Sequence, residues 1–282
     1  MCGTCGCADP NNEVSMTDTA TGQKVMLNGG HDHGHHHEHD HDHDHPHDDH
    51  HHGHEILHAH GPGGEIIPLE VAVLSKNDKF AARNRGWFEG RGVVALNLVS
   101  SPGSGKTTLL EATIRALTGK IGISVIEGDQ MTANDAERIK AAGARAIQIN
   151  TGAGCHLEAD MVAEAARALD PAPGSILMIE NVGNLVCPAM FDLGEHMKIA
   201  VISTTEGEDK PIKYPHMFRA VDLVVINKMD LAEHVDFDEA VCRANIAEVN
   251  PKAEVLCLSA KTGAGMDAWC SKLQEIVATG QA

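Results

Sequence analysis

The stretch that decides the fold runs from residue 93 to residue 107 and reads VVALNLVSSPGSGKT. Its first seven residues, Val93–Val99, form a mostly apolar run that predicts a buried strand. A helix-like pattern, Thr107–Leu117, follows directly. A strand, a glycine-rich loop and a helix in this order are the context that a phosphate-binding P-loop requires. The segment therefore predicts a nucleoside triphosphate site within an α/β domain.

The loop residues have distinct expected roles. Gly103 and Gly105 allow the backbone to turn tightly, so that successive N–H groups and the helix N-terminus face one anion. Lys106 is expected to reach the β and γ phosphates, and the Thr107 hydroxyl to ligate Mg²⁺. The usual motif begins with glycine six residues before the lysine, where this chain has Ser100. The predicted nucleotide ligands of the loop are Pro102, Gly103, Ser104, Gly105, Lys106, Thr107 and Thr108.

A second motif, Asn227-Lys228-Met229-Asp230, predicts the base. The Asp230 carboxylate can accept hydrogen bonds from the N1–H and the exocyclic amine of guanine, whereas adenine would leave it unpaired. Lys228 can lay its methylene stem along the base. Ser259-Ala260-Lys261 follows the predicted strand Val255–Leu258 and completes the pattern. We therefore expect GTP and GDP as ligands, with GTP hydrolysis that is slow because no Gln stands where it would orient the attacking water.

From about Ile66 to the C-terminus, a helical pattern over 66–92 is followed by alternating strand and helix patterns. This alternation predicts an α/β fold with a mostly parallel sheet and helices on both faces. Ligands then bind at the carboxyl ends of the strands. The predicted strands are Val93–Val99, Ser124–Ile126, Ala146–Ile149, Ile176–Ile179, Lys198–Ser203, Leu223–Ile226 and Val255–Leu258. The predicted helices after the P-loop are Thr107–Leu117, Asn134–Ala142, His156–Leu169, Asp238–Val249 and Met266–Val277.

Composition limits the partners and divides the chain. The 282 residues carry a formal net charge of −18, which argues against nucleic acid or an anionic membrane as a partner. No apolar run is long enough to span a bilayer and no signal peptide opens the chain. Eight cysteines without such a signal predict a reducing cytoplasm. We expect a GTPase domain over 66–282, a histidine-rich tract over 31–65, and a cysteine motif with a linker over 1–30.

The histidine-rich tract holds sixteen of the twenty histidines within residues 31–60, interleaved with eight acidic residues. It has almost no apolar residues to offset the entropy of ordering, so we expect it to be disordered. Imidazole nitrogens suit Ni²⁺, Cu²⁺ and Zn²⁺, which predicts a buffer for several ions. An expression tag or an inert linker is the alternative, although a tag would be an uninterrupted hexahistidine.

Two groups of cysteines have the spacing of metal ligands. Near the N-terminus, Cys2, Cys5 and Cys7 are separated by small residues that let the backbone wrap around Ni²⁺ or Zn²⁺. A redox-active or frayed terminus is the alternative for this motif. Cys155-His156 and Cys187 follow two predicted strands on the edge that holds the phosphates. Three ligands leave a tetrahedral shell incomplete, and a two-fold dimer could supply the cysteines twice.

The combination of these motifs resembles the HypB family, the GTPases that help to insert nickel into [NiFe]-hydrogenase. The resemblance rests on the N-terminal Cys-x-x-Cys-Gly-Cys, the histidine tract, the P-loop, Asn-Lys-Met-Asp, and the further segments Glu-Gly-Asp at 127–129, Gly-Cys-His at 154–156 and Glu-Asn-Val-Gly-Asn-Leu-Val-Cys-Pro at 180–188. It implies a cytoplasmic nickel metallochaperone that works with a HypA-type accessory protein and the hydrogenase large-subunit precursor. It also implies a nucleotide-promoted homodimer with a metal site at Cys155, His156 and Cys187. Asp129 and Glu180 become candidate groups for Mg²⁺ or for positioning water.

Two other functions remain open at the level of sequence. The related UreG family of urease accessory GTPases typically carries Cys-Pro-His at its metal site, whereas this chain has Cys155-His156 and a separate Cys187. A metal-storage protein with a purely structural P-loop is the other possibility. GTP turnover after deletion of the tract would separate storage from the two GTPase functions.

Overall fold

The structure, a computed structural model, describes residues 13–27, 58–60, 66–129 and 134–280. The predicted ligands Cys2, Cys5 and Cys7 and most of the histidine tract lie outside these residues. Among the helices that are described, none is both long enough and apolar enough to cross a membrane.

The described strands belong to a nine-stranded sheet and to a separate two-stranded sheet. In chain order the strands are β1 (Ser15–Asp18), β2 (Lys24–Met26), β3 (His58–His60), β4 (Ile66–Pro68), β5 (Val94–Ser100), β6 (Ile123–Asp129), β7 (Arg145–Asn150), β8 (Ile176–Glu180), β9 (Met197–Ser203), β10 (Leu223–Asn227) and β11 (Glu254–Cys257). The helices are α1 (Leu69–Arg91), α2 (Lys106–Leu117), α3 (Asn134–Ala142), α4 (Ala159–Leu169), α5 (Cys187–Met190), α6 (Lys210–Lys213), α7 (Pro215–Arg219), α8 (Glu239–Val249) and α9 (Met266–Gly280). Thr204–Glu206 and Met229–Val235 form 3-10 helices.

The large sheet has the strand order β11-β10-β9-β5-β8-β6-β7-β1-β2. All pairs from β11 to β7 are parallel, which confirms the predicted α/β class with a mostly parallel sheet. Parallel neighbours need crossover connections, and the helices that supply them cover both faces. As expected for strands covered on both sides, every residue of β5 and of β10 is buried.

Alternate residues of β5 contribute to cores on opposite faces of the sheet. Leu96 and Leu98 belong to a core that includes residues of α2 and α9, whereas Ala95 belongs to one that includes residues of α1 and α4. This division follows from the two-residue period of a strand. In the first core, the indole N–H of Trp269 donates a buried hydrogen bond to Thr113 Oγ1 at 2.8 Å. The central strand is thus held from both faces, with the P-loop at its carboxyl end.

The N-terminal region contributes strands that sequence analysis did not predict. Strand β1 pairs antiparallel with β7, placing Ser15 opposite Asn150, and β2 adds a further antiparallel edge strand. Val14 is buried beside this hairpin. Strands β3 and β4 pair with each other at the end of the histidine-rich tract. Strands β1, β2 and β3 are too short to show the alternation of apolar residues that indicates a strand, and β4 takes up the first three residues of the stretch 66–92 that was predicted to be helical.

The predicted helix His156–Leu169 begins later, at Ala159. The Asn77 side chain of α1 explains this start, since its Oδ1 accepts the backbone N–H of Ala159 at 2.9 Å. Such a group satisfies one of the amides that an α-helix leaves unpaired at its N-terminus. The consequence is that Cys155 and His156 lie in a loop rather than on a helix.

Candidate nucleotide and metal site

The loops that leave β5, β6, β8 and β10 meet at the carboxyl edge of the parallel sheet, where α/β folds bind ligands. They line a cavity of about 590 Å³, a volume typical of small-molecule sites. All seven predicted P-loop ligands line it, from Pro102 to Thr108. Further polar groups of the lining come from Glu127, Asp129, Glu180 and Lys228.

The backbone conformation of the P-loop requires glycine at two positions. Gly103 and Gly105 have φ angles of +77° and +93°, in the region that residues with a side chain rarely adopt. A Cβ at Gly105 would lie 2.6 Å from Asn227 Nδ2, so any side chain at this position would clash with Asn227. Helix α2 begins at the next residue, which places its unpaired N-terminal amides beside the cavity. These features suit the binding of a phosphate.

Lys106 is buried and held at the floor of the loop. Its Nζ donates to Ser100 Oγ at 2.8 Å and lies 3.9 Å from Glu180 Oε1. Ser100, which replaces the usual glycine, ends β5 without a positive φ. The serine hydroxyl therefore gives the lysine a hydrogen-bond partner at the position where the motif departs from its common form.

A group of carboxylates faces the lysine. Thr107 Oγ1 donates to Glu180 Oε1 at 2.8 Å. Burial raises the pKa of Glu127 to about 9, and the nearby Glu180 carboxyl contributes to the shift. Burial likewise raises the pKa of Glu180. In both side chains the Oε2 atom is buried and accepts no hydrogen bond from the described part of the protein.

These oxygens fit a divalent cation. Mg²⁺ prefers hard oxygen ligands, and its charge would offset the cost of keeping two neighbouring buried carboxylates ionised. Thr107 and Glu180 were predicted for such a role, and Asp129 lines the same cavity. Glu127 was not assigned a role from the sequence. Its spacing of two residues from Asp129 on β6, which points both side chains to the same face, is the signal that would have found it.

The base motif lies against the P-loop. Asn227 Nδ2 donates to Ser104 O at 3.0 Å, and its Oδ1 accepts from Ala260 N at 3.1 Å. Lys228 Nζ donates to Gly103 O at 2.6 Å. Ser259 Oγ donates to Asp230 Oδ1 at 2.5 Å, which fixes the carboxylate expected to read the base. The two motifs thus form one continuous surface, while Lys261 is exposed at its margin.

The three residues predicted to bind metal in the folded domain are brought together. One ligand atom from each of Cys155, His156 and Cys187 lies within 4.8 Å of the other two. Cys155 Sγ is 3.7 Å from His156 Nδ1. Two thiolates and an imidazole form a donor set that suits Ni²⁺ or Zn²⁺. The cluster therefore has the chemistry and the spacing of a metal site.

The imidazole of the cluster is buried and oriented. The His156 ring stacks on Phe191 with centroids 3.8 Å apart and an interplanar angle of 33°. Burial lowers the pKa of His156 to about 4, so the ring is neutral at neutral pH. The neutral form is the one that ligates metal ions. Cys187 begins α5 and is also buried.

One loop serves both the cavity and the cluster. Glu180 at the end of β8 and the next three residues, 181–183, line the cavity, and Cys187 follows four residues after Gly183. The loop after β7 carries the other two residues of the cluster, Cys155 and His156. Only a few residues separate the part of this loop that lines the cavity from Cys187. A displacement of the loop at the cavity can therefore also move this candidate metal ligand.

The fold and the site define a P-loop nucleotide-binding protein, and residues 94–257 match the family model described as "CobW/HypB/UreG, nucleotide-binding domain". The hydrogenase maturation factor HypB of Rhizobium leguminosarum bv. viciae is 59% identical over 222 residues, which cover 78% of this chain and 74% of that protein. The chain belongs to the HypB family of hydrogenase maturation factors.

Two solved structures resemble the chain over most of its length. The HypB of Archaeoglobus fulgidus is 39% identical with a TM-score of 0.68, covering 72% of this chain and 99% of that one. The HypB of Helicobacter pylori, solved in complex with nickel, is 38% identical with a TM-score of 0.69. That match covers 73% of this chain and 97% of the Helicobacter chain.

Proposed function

We propose that this protein is a GTP-hydrolysing nickel metallochaperone that delivers nickel, or licenses its insertion, during [NiFe]-hydrogenase maturation. The observation that carries the proposal is the β8 loop, which lines the phosphate cavity with Glu180 and supplies Cys187 to the metal cluster. Membership of the HypB family and the nickel complex of the Helicobacter relative support it. The nucleotide state is then linked to the metal through a short covalent path.

Different groups of the chain have different roles in binding and hydrolysing GTP. Lys106 neutralises phosphate charge, the backbone amides around Gly103 and Gly105 hold the phosphates, and Asp230 selects guanine. Thr107, Glu180 and Asp129, with Glu127 beside them, would hold Mg²⁺, whose positive charge would offset the negative charge that develops on the phosphates. Turnover is expected to be slow until a partner completes the site.

The metal side of the proposal involves a second copy of the chain. Cys155, His156 and Cys187 supply three ligands for Ni²⁺ or Zn²⁺, which leaves a four-coordinate shell incomplete. A GTP-promoted homodimer would bring a second set of the same ligands. The proposed partners are a HypA-type accessory protein and the hydrogenase large-subunit precursor, and the proposed compartment is the cytoplasm.

Nickel rescue tests the function directly. In a strain that lacks this gene, we expect hydrogenase activity to be lost and to return either with the intact chain or with excess nickel in the medium. Urease activity measured in the same cells separates the hydrogenase function from a UreG-like one. GTP turnover by the chain without its histidine tract separates both from metal storage. Hydrogenase activity that is unchanged in the deletion strain would refute the proposal.

Replacing Asp230 with Asn is expected to weaken GTP binding about 100-fold and to relax selectivity toward xanthine nucleotides, because the amide no longer accepts both guanine donors but can pair with the altered edge of xanthine. Turnover of GTP, XTP and ATP by purified protein measures the effect. The exposed Asp267→Asn change on α9 is the matched control. Equal turnover of ATP and GTP by the unchanged chain would contradict this assignment.

Deletion of residues 31–60 is expected to remove most of the nickel capacity and to leave GTP turnover nearly intact, because the two functions are assigned to different segments. Nickel bound per chain after equilibrium dialysis measures the loss. In the full chain, capacity should also collapse below about pH 5–6, as imidazoles with an unperturbed pKa of about 6.5 take up protons. Unchanged nickel stoichiometry in the deletion would show that the tract is not a metal buffer.

A further inference from the structure

Lys198 is a buried lysine outside the nucleotide cavity. It lies on β9, and its Nζ donates to Pro188 O and Phe191 O at 3.0 Å each and approaches Ala189 O at 3.5 Å. These carbonyls belong to the four-residue helix α5 and the residue after it, where a helix leaves its carbonyls unpaired. The ammonium thus caps the short helix whose first residue is the metal ligand Cys187.

We propose that Lys198 is a positioning residue for the metal cluster, and that a buried path of one ion pair and several hydrogen bonds connects it to the nucleotide loop. The inference deepens the proposed function and depends on it for the link to nucleotide state. Groups behind the ligands of a metal site commonly fix ligand orientation and tune affinity. The capped carbonyls place Lys198 directly behind the segment that carries Cys187.

The path begins at the carboxylate beside the lysine. Glu195 Oε1 lies 3.6 Å from Lys198 Nζ and accepts a hydrogen bond from Asn97 Nδ2 at 3.0 Å. The other oxygen of Glu195 accepts the backbone N–H of Leu193 at 2.6 Å. Lys198 and Glu195 are both buried, so each supplies the partner that the other needs away from water.

The path continues to the loop after β8. Asn97 is fully buried on β5, where it pairs in register with Lys198 of β9. Its Oδ1 accepts from Asn181 Nδ2 at 3.3 Å. The Oδ1 of Asn181 in turn accepts the backbone N–H of Leu157 at 3.1 Å, one residue after His156. Asn181 also follows Glu180 and lines the phosphate cavity.

Helix α1 holds the same two metal loops at their far ends. Asn77 accepts from Ala159 N through its Oδ1 and donates to Asp192 O at 2.7 Å through its Nδ2. Asn84 Nδ2 donates to both Ala159 O and Leu193 O. These bonds fix the ends of the loops relative to each other. Between those ends, Asn181 holds the backbone at Leu157 and Lys198 holds the carbonyls of the α5 segment.

Because the side chains of this path are buried, breaking one of their hydrogen bonds is costly. A buried polar group that loses its hydrogen-bond partner bears the full cost of its desolvation, so the path resists partial rupture. A nucleotide that moves Asn181 must therefore either carry the His156 loop and the α5 segment with it or break bonds in this path. By this argument, Lys198 and Asn97 transmit nucleotide state to the geometry of the metal ligands.

The test uses the full-length chain with Cys2, Cys5 and Cys7 changed to Ser, so that nickel–thiolate charge-transfer absorption reports on Cys155 and Cys187. Nickel is titrated against a competing chelator with GDP and with a non-hydrolysable GTP analogue. In Lys198→Met, which keeps an unbranched apolar stem but removes the ammonium donor, nickel affinity should fall about 10- to 100-fold. The difference between the two nucleotide states should disappear, while GDP affinity stays the same. The exposed Lys252→Met change is the matched control.

A second variant interrupts the path away from the metal. Asn97→Leu has a similar shape but lacks both hydrogen bonds, so it should retain nickel affinity with GDP and lose the nucleotide-dependent difference. If Lys198→Met fails to bind GDP and is therefore misfolded, Lys198→Gln, which retains a shorter donor, takes its place in the same comparison. Affinities and spectra equal to those of Lys252→Met would overturn the inference. A parent chain without any charge-transfer band would refute the proposed metal function instead.

Discussion

Lys106→Ala is expected to abolish measurable GTP turnover, lowering kcat by about 10²–10³-fold, the effect of removing one positioned charge-stabilising group. Lys106 Nζ is buried between Ser100 and Glu180, at the floor of a cavity that also contains Glu127 and Asp129. Without the ammonium, the phosphate charge would lose a positioned side-chain cation beside the Glu180 carboxylate.

The other basic groups that line this cavity are already paired with protein groups. Arg138 is paired with Glu111 and Asp135, and Lys228 donates to Gly103 O. Phosphate release in the presence of Mg²⁺ measures the loss, and fluorescent GDP binding shows whether the variant is folded. The exposed Lys213→Ala change is the control. Turnover by Lys106→Ala within about tenfold of the unchanged chain would contradict the role assigned to Lys106.

Cys187→Ala is expected to weaken nickel binding at the cluster by more than about 100-fold, since removing a ligand should exceed the 10- to 100-fold effect of groups behind it. It should also erase the dependence of nickel affinity on nucleotide. A coupling free energy of about 1–3 kcal/mol is typical between two linked sites, and by linkage it acts equally in both directions. Nucleotide binding should survive, because Cys187 does not line the cavity.

Nickel titration of a chain that lacks the N-terminal cysteines and the histidine tract measures this coupling, with GDP and with the GTP analogue. Sedimentation of the same samples shows whether the GTP analogue induces dimerisation and whether that dimerisation depends on metal. Cys270→Ala on α9 removes a thiol outside the cluster and is the matched control. Identical nickel affinities in the two nucleotide states of the unchanged cysteine cluster would mean that this site is not part of the switch.

The sequence by itself determined the features whose physics is local. The P-loop needs only a strand, two glycines, Lys106 and the start of a helix, which all fall within fifteen residues. Their backbone conformations are set by near neighbours in the sequence. Asn227-Lys228-Met229-Asp230 and Cys155-His156 were found in the same way, from short spacings after apolar strands. The alternation of strand patterns with helix patterns along the chain indicated the α/β class, because parallel strands require helical crossovers.

Only the tertiary structure decided which distant groups meet. Burial beside Glu180 raises the pKa of Glu127 because β6 and β8 are neighbours, a fact that no local spacing contains. The start of α4 at Ala159 depends on Asn77, which lies 82 residues earlier. The contacts of Lys198 likewise depend on the placement of β9 beside β5. Burial and hydrogen bonding are properties of the assembled sheet, since strand order, not sequence order, sets which side chains share a site.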